Sequence, residues 1–276
     1  MVFSNKSFSE LTKKRVYFFD LDGTIYLGNK LFNGVPELIE LLRDKNKAFF
    51  FLSNNSSIST ADYIKKLNRF NLNVTRNNII LSQHPTMDYL KNNGYSRIFL
   101  LGTKSLKKEF EQEGFEITEQ NPEIIVLAFD KDLTYERLAK ATSFLLDEEF
   151  PYIATHLDNR CPTVNGYIPD AGGIAALLFK ATERMPKVFG KPNKEMLLFK
   201  LNQLDINPRD AIIFGDRLYT DIKMGIQAGV TTCCVLSGES SQAMIEKSEY
   251  KPNFILEGIW ELLRDFKKKK LTNKNF

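Results

Sequence analysis

The sequence predicts an α/β fold: a doubly wound parallel sheet with a second α/β domain inserted into it. Three observations carry that expectation. Apolar, β-rich runs alternate with amphipathic helical patterns along the whole chain. The runs VYFF, AFFFL and AIIF are apolar at every position, as strands covered on both faces must be. Acidic residues stand at the ends of two of these runs, Asp20 directly after VYFF and Asp216 one glycine past AIIF, and a long segment with its own strand–helix alternation separates the two.

The expected strands are Val16–Phe19, Ala48–Leu52, Arg97–Leu101, Ile124–Phe129, Tyr152–Thr155, Ala211–Phe214 and Thr232–Leu236. Between them the spacing of apolar residues predicts helices over Val35–Asp44, Ser59–Phe70, Lys104–Glu113, Tyr135–Asp147 and Lys194–Leu204, the last capped by Asn193. A stretch as long as residues 83–186 is no loop of a compact domain. It reads as an inserted domain. The chain then divides into a core domain from residues 1–82 and 187–276 and an insert of residues 83–186, with linkers near Ser82–Pro85 and Met185–Pro186.

Composition narrows the function classes. Of 276 residues, 43% are hydrophobic and 26% charged, which is ordinary for a soluble globular chain. The net charge of +4 is mild and partly gathered in the run Lys267–Lys270, a solvated helix end. No basic stripe with interleaved aromatics points to nucleic acid. No apolar stretch is long enough for a membrane span, and Met1–Arg15 holds no signal-like apolar run. Three cysteines, Cys161, Cys233 and Cys234, and two histidines offer no zinc pattern. Sparse cysteines suit a reducing, cytoplasmic setting.

Four short segments carry chemistry. Asp20-Leu21-Asp22-Gly23-Thr24 follows the strand VYFF, and in open α/β sheets ligands bind beyond the carboxyl ends of strands. Asp20 and Asp22 converge on one site if the chain turns at Gly23, and their repulsion then calls for a cation. The same segment read blandly is a solvated Asp-Gly turn. Asp216 and Asp221, in FGDRLYTD, form a second acidic pair after the strand AIIF. Oxygen-only ligands suit Mg²⁺, while Asp221 alone would serve equally as a helix cap. Ser53-Asn54-Asn55-Ser56 ends the strand AFFFL, where a hydroxyl and backbone N–H groups make an anion cradle or simply a polar cap. Lys191, in FGKPN, lies between glycine and proline, neighbours that fix the backbone and let the ammonium reach inward.

Taken in order, DLDGTIYLG, FLSNNS, GKPNKEM and GDRLYTDI resemble the four motifs of the haloacid dehalogenase superfamily. The resemblance spans residues 16 to 236 and fits subfamily IIA, the NagD-type and para-nitrophenyl-phosphatase-like branch. That branch carries a large cap between the second and third motifs and includes pyridoxal-phosphate and phosphoglycolate phosphatases. The resemblance implies a Rossmann-like core and an Mg²⁺-dependent phosphatase of small phosphate monoesters. Asp20 would be the nucleophile that forms an aspartyl-phosphate, and Asp22 the general acid and then base. Ser53, Asn54, Asn55 and Lys191 would bind the phosphate. Mg²⁺ would be held by Asp20, Asp22 through its carbonyl, and Asp216, with Asp221 supporting. A homodimer through the cap would be family-like.

The insert should choose the leaving group. His156, Asp158 and Arg160 crowd the turn-rich stretch ATHLDNRCPTVNGYIPDAGG and are expected to set substrate specificity. The family often has asparagine in place of His156 and glycine in place of Asp170. Sugar phosphates are favoured, because this loop offers hydrogen-bonding groups and no base-stacking aromatic pair. A phosphomutase of the same superfamily and a non-catalytic sugar- or nucleotide-phosphate binder are the alternatives. Product analysis and turnover of para-nitrophenyl phosphate separate them.

Overall fold

The computed structural model describes residues 8–163 and 165–272. They form two compact units: residues up to 52 with 64–79 and from 197 onward, and residues 53–63 with 80–196. The expected insert, 83–186, falls within the second unit. In chain order the elements begin with β1 (Val16–Asp20), the antiparallel pair β2 (Tyr26–Leu27) and β3 (Lys30–Leu31), α1 (Val35–Asp44), β4 (Ala48–Ser53), α2 (Thr60–Asn68) and β5 (Ile79–Leu81). Next come α3 (Gln83–Asn92), β6 (Arg97–Leu101), α4 (Lys104–Gln112), β7 (Glu116–Ile117), β8 (Ile124–Leu127), α5 (Tyr135–Leu145) and β9 (Tyr152–Ala154). The hairpin β10 (Arg160–Thr163) and β11 (Gly166–Pro169), α6 (Ala171–Thr182) and β12 (Lys187–Val188) follow. The chain closes with α7 (Glu195–Gln203), β13 (Ala211–Gly215), α8 (Lys223–Ala228), β14 (Thr231–Val235), α9 (Gln242–Lys247), β15 (Phe254–Leu256) and α10 (Trp260–Thr272).

The first sheet has the order β15-β14-β13-β1-β4-β5. β1 is parallel to β4 on one side and β13 on the other. The chain therefore winds outward in both directions from the β1/β13 pair, which is the switch point where an α/β sheet binds ligands. Register sets Phe19 opposite Phe214, so Asp20 and Asp216 leave their strands at the same edge. Phe19 anchors this centre. It is fully buried and stacks on Phe214 at 5.3 Å and packs on Phe51 at 6.1 Å between ring centroids. Helix α1 buries Val35, Leu38, Ile39 and Leu42, a stripe at helical spacing, with a proline in its first turn.

The second unit has its own parallel sheet, β12-β9-β8-β6-β7. Its strands alternate between two cores, as the two-residue pleat requires. Ile98, Leu100, Ile124, Val126 and Ile153 join one core. Phe99, Leu101, Ile125, Leu127, Tyr152 and Ala154 join the other. Full burial of such side chains stabilises by ~1.5–3 kcal/mol each, which explains why the buried strand positions are apolar.

Two local expectations need correction. Ser82–Pro85 is no exposed linker: it is the start of α3, with Ser82, Gln83 and Pro85 buried. His84 is only 11% exposed, and its Nε2 lies 2.7 Å from Thr60 Oγ1. The turn-rich stretch after β9 is a β-hairpin leading into α6. Asn193 does cap α7, accepting the Glu195 N–H at 3.0 Å. No helix among the described residues is long and apolar enough to cross a membrane. In the basic run, Lys267 is exposed, while the side chains of Lys268–Lys270, like residues 1–7, lie outside the described part.

Glu109, on α4, is a buried carboxylate that ties the start of α2 to α3 and α4. It accepts from the Thr60 N–H at 3.0 Å, the Thr60 hydroxyl and Gln83 Nε2 at 3.3 Å. Burial, the largest influence, pushes its carboxyl up, but His84, whose Nε2 lies 3.7 Å away, and the hydrogen bonds from Thr60 together outweigh it and bring the carboxyl down to about 2. A carboxyl lowered in the folded state adds stability above its unfolded pKa, and that stability is lost as pH falls toward about 2. Glu109→Gln should therefore cost about 1.5–3 kcal/mol in urea unfolding at neutral pH. The deficit should shrink as the titration moves from about pH 5 down toward about pH 2. A deficit independent of pH would assign Glu109 a packing role only.

Candidate active site

β1 and β13 deliver carboxylates because each strand stops where its apolar run stops. Asp20 ends β1, and Asp216 is the first residue past β13. Asp221 comes from the turn that follows. Leu218–Ile222 forms a single π-helical turn ahead of α8, so Asp221 precedes that helix rather than starting it. Its Oδ2 accepts the Arg217 N–H and the Thr220 hydroxyl, each at 3.3 Å. Such π-turns recur at functional sites because they displace one side chain from the helical register.

Asp20, Asp216 and Asp221 meet: each offers a carboxylate oxygen within 4.8 Å of the others, and all three are buried. This donor set is oxygen only and compact, which suits a hard divalent cation. Asp22 is not part of the cluster as built from side chains. It is exposed and forms an isolated bridge with Tyr26, while Gly23 turns the chain with φ +82°.

Asp216 sits in a pocket of backbone. A Cβ on Gly23 would lie 2.4 Å from its Oδ2, and one on Gly238 2.1 Å from it. The same oxygen accepts the Glu239 N–H at 2.7 Å. Ser237 donates to the Gly23 carbonyl at 2.6 Å, which locks the turn after β1 to the loop after β14. Arg217 then pairs with Glu239 at 3.0 Å. Burial disfavours its charge, but Tyr219, Asp216, Asp20 and Glu239 overcome that and hold the guanidinium more firmly protonated than usual. Sequence reasoning missed Arg217, Ser237, Gly238 and Glu239. The only signal was the glycine in LSGES, which follows a buried strand as Gly23 and Gly215 do.

The second unit holds the other motif residues. Ser53 ends β4, and its hydroxyl lies 2.9 Å from the Tyr63 hydroxyl and accepts the Asn55 N–H at 3.2 Å. Asn55 turns its side chain onto Ser57, accepting from the N–H at 2.9 Å and the hydroxyl at 2.7 Å. Asn54 is buried and grips Lys191 by its main chain. Its Oδ1 accepts the Lys191 N–H at 2.8 Å and its Nδ2 donates to the Lys191 carbonyl at 2.9 Å. Lys191 itself is only 6% exposed. A Cβ on Gly190 would fall 2.6 Å from Asn54 Oδ1, so the grip needs glycine there.

Of the three expected specificity residues, His156 is fully buried, Asp158 is half-buried and Arg160 is exposed. Asp158 accepts from Asn54 Nδ2 at 3.0 Å. Arg160, on β10, lies over the Tyr167 ring at 4.2 Å. Cys233 and Cys234 are free, buried thiols, and burial pushes Cys234 up to about 12. Neither is poised as a nucleophile at neutral pH.

Comparison with known proteins adds an independent line. The family of haloacid dehalogenase-like hydrolases matches residues 17–116, and a HAD-hydrolase-like family matches residues 188–262. A solved 4-nitrophenylphosphatase from Thermotoga maritima is 42% identical with a TM-score of 0.88, covering 92% of this chain and 98% of that one. NagD from E. coli K-12 is 27% identical with a TM-score of 0.83, over 89% and 97% of the two chains. A glycerol phosphate phosphatase from Mycobacterium tuberculosis, solved in complex with magnesium, is 25% identical with a TM-score of 0.83, over 92% and 77%. Among curated proteins, a dihydroxyacetone phosphatase of Corynebacterium glutamicum is 29% identical over 247 residues, 89% of this chain and 90% of the relative. The switch-point carboxylates, the sequence motifs and these matches agree, and the chain belongs to the haloacid dehalogenase superfamily, in its NagD-type subfamily IIA.

Proposed function

We propose that the chain hydrolyses small phosphate monoesters, sugar phosphates first, through an aspartyl-phosphate on Asp20. The observation that carries this is the buried trio of Asp20, Asp216 and Asp221 at the switch point of the sheet. A strand-end carboxylate in that position serves as a nucleophile once a cation offsets the charge of its neighbours. Relatives named for small phosphates support the substrate class: dihydroxyacetone phosphatase and glycerol phosphate phosphatase. The exposed Arg160 and half-buried Asp158 supply polar contacts for such a leaving group.

Mg²⁺ is the cation this donor set fits best, and bound there it would supply charge to offset the transferring phosphoryl oxygens. The side chains of Asp20, Asp216 and Asp221 and the carbonyl of Asp22 would hold it. The protein's own groups do the rest. Asp20 attacks phosphorus. Asp22, exposed and free to turn on its Gly23 hinge, gives a proton to the leaving oxygen and later takes one from water. Ser53, the backbone around Asn54 and Asn55, and Lys191 bind the phosphate, whose transition-state charge spreads over the equatorial oxygens. Residues 83–186 act as the cap between core segments 1–82 and 187–276 and exclude water from the reaction. The exposed Leu177 and Phe179 on α6 support a homodimer through that cap. The cytoplasm is the setting that so sparse a set of cysteines favours.

EDTA should abolish release of phosphate from para-nitrophenyl phosphate and from small sugar phosphates. Mg²⁺ should restore it, and Ca²⁺ should inhibit because it tolerates looser, higher coordination. Full activity in metal-free buffer would rule the proposal out. Transfer to a second sugar without free phosphate would favour a mutase.

Asp20→Asn should leave no turnover and no phosphoenzyme. Asp22→Asn should still be phosphorylated by para-nitrophenyl phosphate, since a good leaving group needs little acid help, but should hydrolyse the intermediate slowly. Rapid-quench labelling should then show phosphoenzyme accumulating. Equal, complete loss of label in both variants would contradict the division of roles.

A further inference from the structure

His156 stands two residues past β9 with no exposed surface. Its Nδ1 accepts the Asp158 backbone N–H at 3.3 Å, which places the proton of the neutral ring on Nε2. Nε2 is buried and makes no hydrogen bond. It faces Asp170 Oδ1 at 3.6 Å, and Nδ1 lies 3.9 Å from Asp158 Oδ2. The ring thus lies between two carboxylates without a direct hydrogen bond to either.

Each carboxylate is anchored on its far side. Asp170 is 4% exposed and caps α6, its Oδ1 accepting the Ala171 N–H at 2.6 Å. Asp158 turns Oδ1 to Asn54 Nδ2 at 3.0 Å. Asn54 in turn takes the Lys191 N–H and gives to the Lys191 carbonyl. A line of neighbouring polar groups therefore runs from the start of α6, through His156 and Asp158, to the main chain of Lys191. All of it lies within one compact unit.

We propose that His156 and Asp170 are positioning residues for phosphoryl transfer, fixing Asp158 so that Asn54 clamps the backbone of Lys191. The proposal rests on the phosphatase reading. It gives His156 a different task from the leaving-group contact expected of its loop. His156, Asp158 and Asp170 also offer ligand atoms within 4.8 Å of one another. A metal there would need the Nε2 lone pair, and the Asp158 N–H on Nδ1 leaves a proton on that nitrogen, so the geometry favours a proton-bearing pair over a metal centre.

The line is sensitive to acid. Burial pushes the Asp170 carboxyl up to about 6; Asp158 adds to the rise, while His156, the Ala171 N–H and Lys131 oppose it. Above that value Asp170 is charged and holds His156. As pH falls through it, the charge facing Nε2 is lost and the clamp loosens.

The test compares wild type, His156→Gln, Asp170→Asn, Asp158→Ala and the His156→Gln/Asp158→Ala double variant, each first checked for an intact thermal transition. With para-nitrophenyl phosphate, kcat should fall about tenfold or more in each single variant with KM little changed, as expected when a transition-state contact is misplaced. The double variant should be no slower than the slower single variant, because both break one line. In Asp170→Asn the acid limb of kcat near pH 6 should move to lower pH. Hydrogen exchange gives a readout that needs no catalysis: the Lys191 amide should exchange faster in His156→Gln and Asp170→Asn. If wild type turns over nothing, the phosphatase reading fails, and the exchange result still decides this one. Unchanged exchange at Lys191, additive effects, or Mn²⁺ or Zn²⁺ raising the melting temperature of wild type but not of Asp170→Asn would overturn the proposal.

Discussion

The structure depends on three buried carboxylates sharing one end of a parallel sheet. Asp20, Asp216 and Asp221 bring oxygens within 4.8 Å. Two like charges at that separation repel by about 3 kcal/mol at an effective dielectric of about 20. Three such pairs cost more than most single interactions in a domain return. The fold accepts that cost because the β1/β13 switch point can only end its two central strands side by side. The surroundings make the arrangement rigid and offset part of the repulsion. Gly23 and Gly238 press backbone against Asp216, and the Glu239 N–H holds one of its oxygens. Arg217, paired with Glu239, contributes the nearby positive charge.

The second unit solves a different problem. A buried polar loop needs its backbone fixed, yet its hydrogen-bonding groups must not be left without partners. Asn54 does this with a side-chain amide that mimics a strand partner for Lys191, giving one hydrogen bond and taking one. Ser56 serves the same loop, lying 3.0 Å from the Thr155 hydroxyl and accepting the Phe129 N–H at 3.0 Å. Glu109 and Thr103 hold the other side, the latter donating to the Ser57 carbonyl at 2.9 Å. The loop's order therefore comes from residues far away in sequence.

That distance explains what could be read from the chain alone. The strands VYFF, AFFFL, IFLL, IIVL and AIIF were legible because both faces are covered, so no charged residue interrupts them. The acidic motifs were legible because apolar runs ended in carboxylates with glycine at hand. The start of α3 was hidden because His84-Pro85 looks like a break, whereas proline is tolerated in a helix's first turn. The hairpin β10–β11 was hidden because it is short and exposed, with no apolar alternation to mark it. Gly238 and Glu239 gave almost no signal, since their partner Asp216 lies more than twenty residues earlier and no local pattern joins them. His156 looked like a loop residue in a polar stretch. Its burial follows from helix α6, whose small residues Gly172 and Gly173 let the loop pack close.

Metal-linked stability, measured without substrate, tests the central claim most directly. If the three carboxylates form one cation site, Mg²⁺ should raise the melting temperature of the wild-type protein by about 5–10 °C when it reaches roughly a hundred times its dissociation constant. Asp216→Asn keeps an acceptor for the Glu239 N–H but removes one negative charge. Without metal it should melt at or above the wild-type temperature, and Mg²⁺ should shift it far less. A wild-type melt indifferent to Mg²⁺, or an equal shift in the asparagine variant, would contradict the account.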